Sequence, residues 1–420
     1  DSMFATVVAT MEGDLAPVGS LAGTVKAEGV TVAGYGLDSI SADLHGTTEK
    51  HQLQADILSG SNSLHLQVEG GLADTGWQGL VAGAELKEQR LGSWRVEDPA
   101  PLAISTQSTS LKQLCLNGPS ASRICLDGSS TTGGPWQAGA AIRGFPLELV
   151  PASFPGEGRL QGALTGLVNV EGDSTGILGG RLELASGEMV LAFAPSGDDR
   201  HRPDKIAWQH NTRQATLDAD RLSAQLASLL ADGSTISASL LLDDFQTVPF
   251  SFEQSRLDAE VQFEIRDLQP LAALVYPVAD PYGKLQGNLK LQGAATGPGI
   301  TGSLVLIEGE VRIPPLGISL KEVEMIVDGS FPEFQLALSG VSKGQLQGKG
   351  GLSLADPHHP VLQLHIRGEG VELARLPELD LLVSPEVDLT LQRDRGAVRG
   401  TISIPEARIA SRNLSGAVSP

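Results

Sequence analysis

Apolar residues recur at every second position along most of this chain, in short runs that stop at Gly, Pro or Asp. SLHLQVEG sets Leu64, Leu66 and Val68 on one side, RLELASG sets Leu182 and Leu184, and EVQFEIRDL sets Val261, Phe263 and Ile265. FQLALSG (Phe334, Leu336, Leu338), LQLHIRG (Leu362, Leu364, Ile366), DLTLQ (Leu389, Leu391) and GTISI (Ile402, Ile404) repeat the pattern. Side chains of an extended strand alternate between faces, so this period specifies strands with one apolar side, joined by tight turns. Helical spacing is weak. LELVPASF near Leu147 and DLQPLAALVY at 267–276 are held to a turn or two by their prolines. DADRLSAQLASLLADG at 218–233 reads as helix or strand, because Leu222, Ala224 and Leu226 also alternate. The expected fold class is all-β with a few short helices.

One run breaks its own alternation. In SLVLIEGEVRI, Leu304 and Leu306 share a parity that Val311 and Ile313 do not. RLELASGEMVL switches at the same place, with Leu182 and Leu184 before Gly187, and Met189 and Leu191 after it. GRLQG at 158–162 and GKLQG at 283–287 precede the two copies, and TISIPEARIA forms a weaker third, with Ile402 and Ile404 ahead of Ala407. A β-bulge at Gly187 and Gly309 would return the later residues to the first face, since one inserted residue restores parity. Glycine can take positive φ there without steric cost.

A sheet with one apolar face must cover it. Helices are too few, and a sandwich or barrel leaves too much chain over, because open sheets seldom exceed about ten strands without curling or splitting. An elongated, curled sheet resolves this as a U-shaped trough with an apolar interior. At about 4.8 Å per strand it reaches on the order of 100 Å. The expected lining is Leu182, Leu184, Met189, Leu191, Leu285, Leu289, Leu291, Leu304, Leu306, Val311, Ile313, Leu336, Leu338, Leu389, Leu391, Ile402 and Ile404. Gly287 and Gly400 share that parity and are read as leaving room for acyl chains. Aromatics make up only 4% of the chain, which has the same effect.

The net charge of −20 argues against nucleic acid as a partner and equally disfavours electrostatic docking on anionic lipid headgroups. Cys115 and Cys125 in LCLNGPSASRICLDG are spaced for a disulfide-closed hairpin or for two buried thiols, and not for a metal. No apolar run is long enough for a spanning helix. The opening DSMFATVVAT has no leader pattern, and the chain reads as a piece of a longer protein. Gly340-Val-Ser342-Lys-Gly344 has the spacing of a nucleophile elbow but sits between two strand patterns. His358 and His359 in DPHHP, and DDRH at 198–201, read as polar turns rather than metal sites. Glu188 and Glu310 read as solvent-facing rim residues, and no cofactor motif is recognisable.

LPELDLLVSPEVDLTLQRDRGAVRGTISIPEARI and GKLQGNLKLQGAATGPGITGSLVLIEGEVRIPPLGISL resemble the late part of the TamB family. CLNGPSASRICLDG followed by GPWQAGAAIRGFPLELV is similar to that family's earlier pattern of paired CL dipeptides, a Trp and a Leu-rich short helix. The resemblance runs over about 110–420 and is strongest beyond 267. It implies a periplasmic segment of an AsmA-like, bridge-like lipid transfer protein of Gram-negative bacteria, with a β-taco groove for phospholipid acyl chains. It further implies an N-terminal inner-membrane anchor and a docking region for the outer-membrane partner TamA, both outside this segment. No catalytic residues are implied. Three β-rich segments are expected, 1–110, 111–280 and 281–420. An alternative is a β-strand template for outer-membrane proteins, working with TamA. A secreted β-solenoid is disfavoured by only six Asn in 420 residues.

Overall fold

The alternating runs become strands that pair with the next run along the chain. The computed structural model describes residues 6–13, 19–32, 35–149, 159–192, 205–247, 250–269, 279–356, 359–392 and 395–410. Twenty-four strands from Thr6–Gly13 to Arg395–Ile409 form one antiparallel sheet. Nearly every strand lies between its neighbours in sequence. The exception is Gly76–Glu88, which pairs with the two short strands Gly92–Val96 and Ala100–Ile104 end to end. A separate pair, Gln246–Thr247 with Phe250–Ser251, stands outside the sheet. The ambiguous stretch at 218–233 is the strand Arg221–Leu230 with its turns; Ala219, at φ 52°, turns the chain into it. Helix among the described residues is confined to three 3-10 turns, Pro119–Ala121, Leu147–Leu149 and Pro314–Leu316, and to Gln269. The candidate at 267–276 lies mostly outside the described residues.

Glu333–Ser353 is extended throughout but doubles back on itself. Ser353 Oγ donates to Glu333 Oε1 at 2.6 Å, and the Leu354 amide donates to the Pro332 carbonyl at 2.8 Å. Lys343, at φ 57°, marks the turn. The first arm then pairs with Ile318–Ser330 and the second with Val361–Leu376, so the meander is unbroken.

No second layer exists among the described elements: strands touch mostly their ladder neighbours, the 3-10 turns touch strand ends, and Gln246–Thr247 touches the end of Gly176–Ala192, where Thr247 Oγ1 donates to the Ile177 carbonyl at 2.9 Å. The accessible surface is 26234 Å², where a compact monomer of this mass exposes roughly 15,000 Å². The molecule is one extended layer.

Bulges bend that layer along a line. Leu164 pairs with Ser186 but Gly162 pairs with Met189, so two steps on one strand face three on the next. Leu285 pairs with Leu306 and Tyr282 with Glu310, again one residue extra. In the third copy Ser384 pairs with Ser403 and Leu382 with Glu406. Irregularities at Trp208/His210, Lys321/Glu324 and Arg367/Val371 extend the crease on neighbouring strands, whereas the ladders joining Arg221–Leu230, Thr235–Asp243 and Arg256–Ile265 are regular. An extra residue on one strand sharpens its local bend. Beyond the crease each long strand continues as a short lip. The buried core sits there, in Leu147, Met189, Leu191, Ala279, Ile318, Val371, Ala374 and Val383.

The reason for glycine at the crease differs from the expectation. Neither Gly187 nor Gly309 has positive φ; the left-handed residue is Glu308, at φ 54°. Gly309 is instead demanded by close approach, since a Cβ would stand 2.7 Å from the Val323 carbonyl oxygen. Around Gly187 a Cβ would meet nothing within 4 Å, and nothing in the structure explains glycine there. The entry motifs also align differently in space. Gly162 (φ 134°) and Gly283 (φ 132°) each sit opposite a bulge, so Gly162 corresponds to Gly283 rather than to Gly287.

Candidate functional site

Below the crease the ladder registers assemble one apolar face across the whole sheet. Through its middle runs the row Ile142, Gly166, Leu184, Arg213, Leu226, Ala238, Val261, Leu289 and Gly302, each directly opposite the next. The adjacent row is Val168, Leu182, Ala215, Ala224, Leu240, Ala259, Leu291 and Ile300. Toward the C-terminus the face continues through Leu304, Val327 and Leu336, then Gly350, Leu364, Leu389 and Val398. Toward the N-terminus it continues through Leu44, Leu53, Val68 and Val81.

The residues expected to line a trough divide into two environments. Leu182, Leu184, Leu285, Leu289, Leu291, Leu304, Leu306, Leu336, Leu338, Leu389 and Leu391 lie on the open face below the crease. Leu289 keeps 38% of its surface exposed, and no described element packs over it. Met189, Leu191, Val311 and Ile313 lie beyond the crease, in the lip, where Met189 and Leu191 are buried. Ile402 and Ile404 lie on the last described strand and are exposed, Ile404 within the bulge itself. Leu222, Leu226, Leu240 and Val261 complete the central rows; the alternation that identifies the others marks these too.

Glycines on this face do not leave empty room. A Cβ at Gly287 would overlap the Phe263 ring, one at Gly166 would stand 2.5 Å from Leu184 Cδ2, and one at Gly348 would stand 2.9 Å from Leu338 Cγ. Each glycine is a seat for the large side chain across the ladder, so large and small residues interlock along the rows. The open volume is that of the trough. Gly400 has its own reason, since at φ 143° a Cβ would run into the Glu386 carbonyl.

The other face is polar. Glu183, Gln214, Gln225, Ser239, Glu260 and Lys290 form one of its rows. Glu264 meets Arg266 at 2.9 Å and Lys284 at 3.1 Å, and Arg266, Lys284 and Gln286 together lower its pKa from 4.5 to about 2. Cys115 and Cys125 are directly opposite on neighbouring strands and disulfide-bonded on this face, while Leu114, Leu116 and Leu126 point the other way.

The candidate nucleophile is not built for attack. Ser342 is buried at the tip of the doubled-back hairpin, and its Oγ donates to the Glu372 carbonyl at 3.2 Å. Glu188 and Glu310 are six strand spacings apart, about 29 Å. His359 pairs with Asp356 at 2.7 Å; His358 and DDRH lie outside the described residues. No cluster of metal-ligating side chains, and no helix long and apolar enough to cross a membrane, occurs among the described residues.

A one-layer sheet with an apolar face that no described element covers defines a class, the long open β-troughs. The chain belongs to the TamB family. The model of the TamB N-terminal domain matches residues 7–306, and that of the TamB C-terminal domain matches residues 335–419. The N-terminal match begins well upstream of residue 110, where the resemblance in the sequence starts. No curated protein and no solved structure matches the chain.

Proposed function

We propose that this chain is a periplasmic segment of a lipid-transfer bridge, and that its apolar face shields phospholipid acyl chains between inner and outer membrane. The observation that carries the reading is the face left open by the described elements: across eighteen strands its central rows hold Leu, Val, Ile, Ala and Gly, with one charged residue. An apolar surface of this extent invites aggregation unless it has an occupant. Hydrocarbon fits because each buried methylene contributes about 0.8 kcal/mol, roughly 10 kcal/mol for a 16-carbon chain before ordering costs. The face makes no demand on a particular tail, and it supplies no direction of movement.

The test places photo-crosslinking residues in cells at Leu289 and Leu304 on the apolar face, and at Lys290 and Ser303 on the polar one. Phospholipid adducts at the first pair and few at the second support the reading. Equal labelling of all four sinks it.

A second reading rests on Arg395–Ile409, whose far edge has no described partner and whose residues are all exposed. Such an edge can template an added strand, which fits assembly of outer-membrane proteins together with TamA. Adducts from this edge to outer-membrane proteins are the observation it requires.

A further inference from the structure

The single charge in the central rows is Arg213. It occupies an apolar-face position of the strand Lys205–Asp218, directly between Leu184 and Leu226. The residues beside it on that strand, Thr212 and Gln214, belong to the polar face with Ala185 and Gln225. Arg213 is half-buried, and it makes no ion pair or hydrogen bond with any described residue. A bare guanidinium against hydrocarbon is costly, and a functional reason for it is the natural expectation.

Its surroundings are polar on one side only. Asn211, two residues along, is 3% exposed, and the facing Ser186 is 2% exposed. Asn211 Oδ1 accepts from Ser228 Oγ across the next strand. Asn211 Nδ2 and Ser186 Oγ have no hydrogen-bond partner. An enclosed amide and an enclosed hydroxyl therefore lie two ladder pairs along from Arg213, whose guanidinium is the more accessible donor. In the other direction the surface is greasy and shallow. Ala215, Ala224, Ala238 and Ala259 occupy this face on four successive strands, a furrow that steps from one row to the other between Leu226 and Leu240. That furrow spans three strand spacings, about 14 Å, close to the roughly 15 Å of one leaflet's hydrocarbon.

We propose that Arg213 is a station for the phosphate of a glycerophospholipid whose acyl chain lies in the alanine furrow. A phosphate diester offers oxygens that Arg binds through two parallel N–H bonds, stronger than neutral hydrogen bonds. The net charge of −20 makes the placement more pointed, because the one charge on the lipid-facing rows has the opposite sign. A headgroup paused here has its tail already aligned with the sheet's long axis. The proposal rests on the acyl-chain reading above.

The test compares fluorophore-tailed phosphatidic acid, diacylglycerol with the same tail, and inorganic phosphate, on the purified chain, its Arg213→Leu variant and its Arg213→Lys variant. Leucine is at home among these neighbours, so the fold is not endangered. The expected result is phosphatidic acid bound about tenfold more tightly than diacylglycerol. Arg213→Leu abolishes that preference without weakening diacylglycerol, Arg213→Lys keeps most of it, and millimolar inorganic phosphate does not displace the lipid. A preference unchanged in Arg213→Leu overturns the station while leaving the acyl groove standing. Displacement by inorganic phosphate makes the site one for free anion and overturns the lipid assignment. Failure of the unmodified chain to bind diacylglycerol overturns the acyl reading, and the station with it.

Discussion

The ring of Phe263 lies over the backbone of Gly287, its direct partner on the neighbouring strand, leaving no space for a β-carbon. Gly287→Val forces the ring away and strains both strands. Overpacking of this kind costs about 1–3 kcal/mol, and aromatic cover over a cross-strand glycine adds to sheet stability. The expected outcome is a lower urea midpoint for Gly287→Val and substantial recovery in the Gly287→Val/Phe263→Ala double variant. Additive losses in that cycle would show that the pair is not coupled.

The two crease glycines separate in the same experiment. Gly309→Ala sets a methyl 2.7 Å from a carbonyl oxygen that belongs to the ladder, so the backbone itself must shift. A loss of about 1–3 kcal/mol is expected, with faster amide exchange in Gly299–Ile313 and Ile318–Ser330. Gly187→Ala meets open space and is expected to change stability by less than about 0.5 kcal/mol. Equal effects at both sites would refute the close-approach account of Gly309.

Alternation alone reveals the strands, their faces and the parity break, because each depends on neighbours within a few residues. What lies opposite a face does not. Leu191 and Leu289 carry the same signal in sequence, yet one is buried in the lip and the other stands open on the trough floor. The difference comes from where the crease crosses each strand, a property of several strands together. The left-handed residue at the bulge was equally hidden, since Glu308 adopts a conformation usually left to glycine. Arg213 could have been found: NTRQATL alternates Asn, Arg, Ala and Leu against Thr, Gln and Thr, which sets the Arg among the inward positions.

Acid should weaken the polar face before the apolar one. Glu264 titrates at about 2 in the folded chain, held below its ordinary 4.5 by Arg266, Lys284 and Gln286. The folded state thus favours its charged form. The stability this gives is fully present above about pH 4.5 and is lost as pH falls toward 2. Glu264→Gln removes the contribution at neutral pH. Urea midpoints of the two proteins should differ at pH 7, draw together below pH 4.5 and converge only as pH falls through about 2. The gap is expected to be small, because the carboxylate is solvent-accessible and its partners are screened. A gap that widens on acidification would contradict the assigned sign.

The lip at the C-terminal end is pinned by one buried carboxylate. Glu372 is 5% exposed, with Lys343 Nζ at 2.8 Å and Arg375 Nε at 3.4 Å. Lys343 is also the positive-φ residue at the tip of the doubled-back hairpin, and its Nζ lies 3.8 Å from Asp380. One side chain therefore ties the tip to two further strands. Lys343→Met leaves Glu372 with Arg375 alone, and removing a partner from a buried charge costs about 1–3 kcal/mol or more. Lys343→Gly separates the two roles: it relieves the left-handed backbone while deleting the ammonium. If the ion pair dominates, both variants lose stability and both speed amide exchange in Val361–Leu376. If backbone strain dominates, Lys343→Gly is as stable as the unmodified chain or more so, and the pinning role is refuted.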